Sequence, residues 1–243
     1  MSLKDVESAS DLGDDKGHQR MSYRDSLVVA QVAVQVRLGF LRKVYGILSV
    51  QLVLTIFVCS ICMNLESVKS FVQTSPGILG ISSIATFILL IALMVKRHEH
   101  PTNIYLLLAF TLVEAYTVGV VVTFYDKLVV LEAFILTAAV FVGLTVYTLQ
   151  SKKDYSTWGA CLFSFLWILI MGGLFQFFVQ SEALEFVLCL AGAVVFSGFI
   201  IFDTHIMMTK LSPEEYIMAA INLYLDAINL FMYILRILSS KDK

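Results

Sequence analysis

Residues 104–124, IYLLLAFTLVEAYTVGVVVTF, and residues 128–149, LVVLEAFILTAAVFVGLTVYTL, are separated only by Tyr125-Asp126-Lys127. At about 1.5 Å per helical residue, each run is long enough to cross about 30 Å of hydrocarbon. In lipid a backbone must satisfy its own hydrogen bonds, and neither run alternates as a barrel strand does. Both therefore read as helices. A three-residue connection makes them antiparallel neighbours. Further apolar runs lie near 44–63, 77–95, 158–178 and 184–202, and a seventh near 217–238 carries Asn222, Asp226, Asn229 and Arg236. Pro76-Gly77, Pro101 and Ser212-Pro213 mark helix entries. The expected fold is an all-α polytopic membrane protein, a bundle of seven transmembrane helices.

Composition agrees. Of 243 residues, 58% are hydrophobic and 15% charged, with a mean hydropathy of +0.84, whereas soluble domains sit near half apolar and a quarter charged. The net charge of −2 leaves no footprint for nucleic acid. The bundle leaves no room for a separate soluble catalytic domain, so no enzyme activity is expected. No internal repeat supports an inverted-repeat transporter. Residues 1–26 read as a disordered cytoplasmic tail, too polar for a signal peptide. Residues 27–43 form a juxtamembrane segment ending in the basic collar Arg42-Lys43, an anchor at anionic headgroups. The helix bundle occupies 44–238, and 239–243 is a carboxy-terminal tail.

Basic loops set the orientation. Arg37, Arg42, Lys43, Lys96, Arg97, Lys152, Lys153 and Lys210 fall on one side, against Lys69 and Lys127 on the other. The amino terminus is therefore cytoplasmic. The last segment is contested. If it spans, Arg236, Lys241 and Lys243 join the far side; if it re-enters and returns, they join the near side and sharpen the asymmetry. Its length favours a span, as does the dominance of early helices in setting topology.

A charge at a helix centre costs roughly 2.5–3.5 kcal/mol on insertion scales. Glu114 sits midway along the third run, Glu132 one turn into the fourth, Asp203 at the end of the sixth and Asp226 centrally in the seventh. None has a basic partner one turn away, so all four are expected to face the bundle interior. Asn222, Asp226, Asn229, Tyr233 and Arg236 are spaced four, three, four and three apart, which places them on one helical stripe. A helix beginning at Pro213 adds Glu215 to that stripe and sets Glu214 about 120° round. Such a stripe lines a polar interface or a water-filled path; a carboxylate is costlier than helix-gluing requires, which favours the path. Asp203 and Asp226 belong to consecutive antiparallel helices and can meet within the membrane. Two carboxyls in contact cannot both ionise cheaply, so they would hold one proton between them. Losing it would add repulsion that parts the helices or attracts a cation. Oxygen ligands suit Ca²⁺, which makes Asp203 and Asp226 the candidate metal-contacting pair as well. The expectation is a pH-gated cation path, with Ca²⁺ as permeant ion and no resident cofactor.

Other chemistries fit poorly. Presenilin-type proteases pair Tyr-Asp with Gly-x-Gly-Asp, whereas these aspartates sit in Phe202-Asp203 and Tyr224-Leu225-Asp226. The Gly-x-Ser-Gly of rhomboid proteases is missing. Cys59 and Cys62 form C-x-x-C inside the first run, where thiols act as small apolar groups, and Cys161 and Cys189 are also within runs. His98 and His100 sit in a loop; His205, two residues past Asp203, reads as a solvated loop histidine or as a group that tunes that site.

SGFIIFDTH at 197–205 and INLYLDAINLF at 221–231 resemble the signature of the transmembrane Bax-inhibitor-motif family. FLRKVY at 40–45, VTFYD at 122–126, TVYTLQSKKD at 145–154 and LSPEEY at 211–216 are similar to its Golgi anti-apoptotic (Lifeguard four) branch. The likeness covers almost everything after Phe40. It implies seven helices with the last at the centre, some members having been described with a re-entrant final segment instead. It implies a Ca²⁺-permeable, pH-sensitive leak from Golgi and endoplasmic reticulum stores that protects from apoptosis. By the same resemblance Asp203 and Asp226 are a di-aspartyl pair and Glu214 is tied to ion conduction, beside the Glu215 that helical geometry indicates. Bacterial relatives latch the aspartates with an arginine near the end of the second helix; the nearest positions here are Lys96 and Arg97, and lysine would make the less directional latch. A second reading stays open, a non-conducting scaffold that regulates Ca²⁺-release channels or apoptosis factors.

Overall fold

The computed structural model describes residues 3–240, with side chains from Gln31 onward except that of Pro76. The elements are α1 (Leu3–Asn64), α2 (Glu66–Thr74), α3 (Pro76–Lys96), α4 (Thr102–Val122), α5 (Lys127–Gln150), α6 (Trp158–Val179), α7 (Glu182–Thr209), a 3₁₀ turn (Pro213–Glu215) and α8 (Tyr216–Ser240). Among the described residues there is no strand, and seven helices are long and apolar enough to span a membrane: α1 from Gln31, then α3 to α8. The tail expected over residues 1–26 and the last three residues of the carboxy-terminal tail lie outside the residues described with side chains. The chain divides into two units, 1–42 and 43–243. In the first, the Arg37 guanidinium lies 5.7 Å from the Phe40 ring centre. The second is the helix bundle.

The bundle is built around α8. Of its membrane segment 67% is buried, against 11–39% for the other six. Tyr224, Leu223, Ile221 and Ile217 are sealed off, and α7 and α5 pack along its flanks. α6 leans on α7, and α3 on α4. α8 runs unbroken for 25 residues, about 37 Å, so the contested last segment is one continuous helix long enough to span. Within the bundle α1 contributes Val44, Leu48, Gln51 and Thr55, buried at the three-and-four spacing of one helical face. Large apolar side chains cover the outside, among them Phe87 on α3, Phe177 and Phe178 on α6 and Val194 on α7. That is the surface lipid requires, since no water is present to penalise it.

Three local features set the ends. The Asp126 carboxylate accepts from the Leu128 N–H at 3.1 Å and starts α5, and the Ser181 hydroxyl accepts from Leu184 N–H and starts α7. The stretch between the first two spans contains the short helix α2. It buries Val72 and ties Gln73 Nε2 to the Thr123 carbonyl at 2.9 Å. α7 also continues to Thr209, seven residues beyond the expected end of its apolar run.

Candidate functional site

Asp203 on α7 and Asp226 on α8 face each other with their carboxyls within hydrogen-bonding reach. A hydrogen bond between two carboxyls exists only where one keeps its proton, because two carboxylates offer acceptors alone. Asp226 is 5% exposed, and its Oδ2 meets no donor from the protein. Asp203 is half-buried. Thr204 follows Asp203 in the chain, and its hydroxyl converges with those of Tyr45 from α1 and Thr145 from α5, though none meets hydrogen-bonding geometry. The bundle thus buries a carboxylate oxygen on α8 without a donor, and a cluster of three hydroxyls contributed by α1, α5 and α7. Unpartnered buried oxygens of this kind hold ordered water or a hard cation.

Two residues back along α8, on another face of the helix, Tyr224 closes the centre of the bundle. Its ring meets Phe110 of α4 edge-on at 6.1 Å, and its hydroxyl lies 2.9 Å from Thr55 Oγ1 on α1. Thr55 in turn donates to the Gln51 carbonyl, while Gln51 Nε2 donates to Thr111 Oγ1 of α4 at 3.0 Å. A polar seam thus joins α1, α4 and α8 at bilayer depth.

Toward the carboxy-terminal end of α8 the stripe opens into space. A chamber of about 230 Å³ is lined by Glu114 and Thr117 of α4 and by Asn229, Tyr233 and Arg236 of α8. Glu114 Oε2 accepts from Thr86 of α3 at 3.1 Å, and Asn229 Nδ2 donates to the Leu225 carbonyl. Arg236 also borders a larger vestibule of about 1010 Å³, whose wall carries Glu182 and Glu185 from the start of α7. At the chamber wall, Tyr233 stacks on Phe196 of α7 at 5.8 Å. Gly192 makes that possible. A Cβ there would stand 2.5 Å from the Tyr233 ring.

At the opposite end the groups are paired with one another. Lys96 closes on Glu99 at 2.8 Å, and Arg97 reaches Glu215 at 3.6 Å. The latch expected on the aspartates is therefore not formed among the described residues: both basic groups sit at the carboxy-terminal end of α3 and pair with neighbouring carboxylates instead. Glu214 is exposed, and its backbone N–H donates to Ser212 Oγ. Glu215 belongs to the 3₁₀ turn and not to α8, so the stripe argument that began a helix at Pro213 does not carry to it. Lys43 of α1 lies over the Tyr216 ring, 3.2 Å from its centre.

The remaining positions divide. Asn222 and Arg236 emerge to the surface, Asn229 and Tyr233 are half-buried, and Asp226 alone of the stripe is fully enclosed. Glu132 is exposed on α5, which corrects the expectation that it faces the interior. Five residues from the start of its helix, it lies close enough to an interface for its carboxylate to reach water. His205, read as a loop residue or a partner of Asp203, is buried in α7 and points the other way. Its Nε2 lies 2.9 Å from Asp154 Oδ1 in the α5–α6 connection, and its ring meets Tyr155 edge-on. Asp154 is held down to about 2, first by hydrogen bonds from Ser156 and then by His205. Sequence reading passed over Tyr45, Thr145 and Thr204. Threonines are common in membrane helices, so only their convergence in space marks them.

Residues 37–243 match the family described as inhibitor of apoptosis-promoting Bax1. Protein lifeguard 4 of Mus musculus is 48% identical over 233 residues, 94% of this chain and 98% of the relative. The Golgi anti-apoptotic protein of Vaccinia virus (strain Lister) is 48% identical over 243 residues, the full length of both. Bax inhibitor 1 of Schizosaccharomyces pombe is 39% identical over 217 residues, 89% of this chain and 82% of the relative.

Proposed function

The chain belongs to the family of inhibitors of apoptosis-promoting Bax1, and we propose that it is a pH-sensitive, Ca²⁺-permeable leak of intracellular membranes. Its full-length likeness to a Golgi anti-apoptotic protein supports multi-pass residence in the Golgi membrane and a role in restraining apoptosis. The endoplasmic reticulum is the second compartment of the proposal, and the amino terminus faces the cytoplasm.

The observation that carries the conduction reading is the carboxyl pair Asp203–Asp226 between α7 and α8, with Asp226 enclosed and its Oδ2 unpartnered. With one proton between them the carboxyls attract, and α7 stays against α8. Without it, two negative charges repel in a poorly screened interior, and a divalent cation becomes the group that relieves them. Ca²⁺ tolerates irregular oxygen shells, so the two carboxyls can contact it with water completing the shell. From there Asn229 and Glu114 lead through the small chamber to the vestibule at Glu182 and Glu185. The other mouth lies at Glu214 and Glu215. Arg236 stands between chamber and vestibule as a positive barrier that slows cations. By lowering store Ca²⁺, such a leak blunts death signals that depend on its sudden release. Conduction of this kind makes and breaks no covalent bond and requires no cofactor.

The test is Ca²⁺ flux into liposomes holding only the purified protein, from pH 6 to 8. Flux that depends on pH in the wild type and loses that dependence in Asp226→Asn and Asp203→Asn is the expected result. Absence of flux above empty liposomes from folded protein would sink the leak. The alternative, a non-conducting regulator of Ca²⁺-release channels or apoptosis factors, would then stand.

A further inference from the structure

A second cavity, of about 510 Å³, runs between α1 and α5 with α4 and α8 behind it. Ala227, Ile228 and Phe231 form its floor on α8. Its deep end is Leu52 on α1 and Val142 on α5; its mouth is Asn64 and Lys127. These residues occupy spans, so the groove lies at bilayer depth. From Leu52 to Asn64 is about 18 Å of helix, and from Val142 to Lys127 about 22 Å. One leaflet's hydrocarbon is about 15 Å. The groove therefore takes a chain that enters at one interface and ends just past the midplane.

Its chemistry is one-sided. The walls are overwhelmingly apolar, and an apolar cavity takes apolar matter in preference to water. The mouth carries a cation. Lys127 Nζ donates to Asn64 Oδ1 at 2.9 Å and pairs with no carboxylate among the described residues. Size excludes a helix from a second copy, since about 20 Å of a helix 10 Å across displaces roughly 1,600 Å³. A sterol would bring only a hydroxyl to the lysine. We propose that the α1–α5 groove is a binding site for one anionic phospholipid, its acyl chain laid against Ala227 and Phe231 and its phosphate held by Lys127. The chain would then pack on α8 directly beside Asp226, so that lipid composition bears on the central helix. The site stands independently of the leak.

Native mass spectrometry of protein released from nanodiscs of phosphatidylcholine and phosphatidylglycerol tests this. The wild type should carry one phospholipid, with phosphatidylglycerol enriched about fivefold, the worth of one lysine at a headgroup. Lys127→Gln should keep a lipid but lose the enrichment. Ala138→Phe, which fills the groove from α5, should lose the lipid altogether. Ser60→Phe fills it from α1 and gives the same reading if the first variant does not fold. Unchanged enrichment in Lys127→Gln would overturn the site. So would lipid retained by a folded groove-filling variant, sterol retained in place of phospholipid when both are supplied, or a dimer that forms without lipid.

Discussion

The Arg97 guanidinium at the end of α3 stands 3.6 Å from the Glu215 carboxylate in the turn that leads into α8. The pair joins two elements 118 positions apart in the chain at the mouth nearest the two aspartates' connecting turn. Both side chains are partly solvated, so the contact is a modest tether.

A double-mutant cycle with Arg97→Gln and Glu215→Gln should give a coupling of about 0.2–1 kcal/mol in thermal unfolding, diminishing as salt is raised. A coupling that salt leaves unaltered would mean that the pair acts through packing. Under the leak proposal, either single change loosens the entry to α8 and raises Ca²⁺ flux at a fixed pH.

Asp154 gives a pH prediction of definite sign. Its carboxyl is held down to about 2 in the folded protein, against about 3.9 in an unfolded chain. A depressed folded value contributes stability that is fully present above the unfolded value and is lost as pH falls through the folded one. The gap in thermal midpoint between wild type and Asp154→Asn should therefore close as pH falls from about 4 to 2. Because Asp154 stays ionised from pH 6 to 8, Asp154→Asn should leave the flux pH-dependent, whereas Asp226→Asn should not.

Gly192 and Tyr233 make a packing prediction. A Cβ on Gly192 would meet the Tyr233 ring at 2.5 Å, and that ring is already stacked on Phe196. Gly192→Ala should cost about 1–3 kcal/mol as the ring is driven from its stack. Adding Tyr233→Leu should recover part of that loss. Additive costs from the two substitutions, measured by thermal unfolding in one detergent, would show that the contact is not shared.

Run length alone placed the seven spans, because hydrocarbon thickness is a constraint each helix meets by itself. Which face turns inward is a collective property, and there the sequence was less legible. The spacing of Asn222, Asp226, Asn229, Tyr233 and Arg236 identified one face of α8, but only its middle lies under other helices, so its ends surface. His205 was misjudged because α7 extends beyond its apolar run, carried by packing on α8. The amphipathic α2 is too short for hydropathy to register. The convergence of Tyr45, Thr145 and Thr204 has no linear trace at all, since the three come from α1, α5 and α7.

Tyr224 tests the polar seam. Thr55 donates its proton to the Gln51 carbonyl at 2.8 Å, so the Tyr224 hydroxyl is the donor across to Thr55. Tyr224→Phe removes that bond and leaves Thr55 satisfied, which limits the loss to about 0.5–1.5 kcal/mol. Thr55→Val instead strands the tyrosine hydroxyl in the bundle core and should cost more. Equal losses from the two would show that the bond contributes little and that ring packing on Phe110 dominates.

Under the leak proposal, Glu114 is a path residue and Glu132 a surface one. Both are carboxylates inside apolar runs, and sequence alone treats them alike. Glu114 accepts from Thr86 and lines the chamber with Asn229; Glu132 is exposed near the start of α5. A cation crossing the chamber gains about 1 kcal/mol or more from a carboxylate about 4 Å away, even at water-like screening. Glu114→Gln should therefore lower Ca²⁺ flux roughly fivefold at the pH of maximal leak, and Thr86→Val should lower it less by freeing the carboxylate without removing it. Glu132→Gln should leave flux unaltered and spare the protein an exposed charge within a span. If Glu132→Gln lowered flux and Glu114→Gln did not, the ions would be passing outside the chamber, along α5.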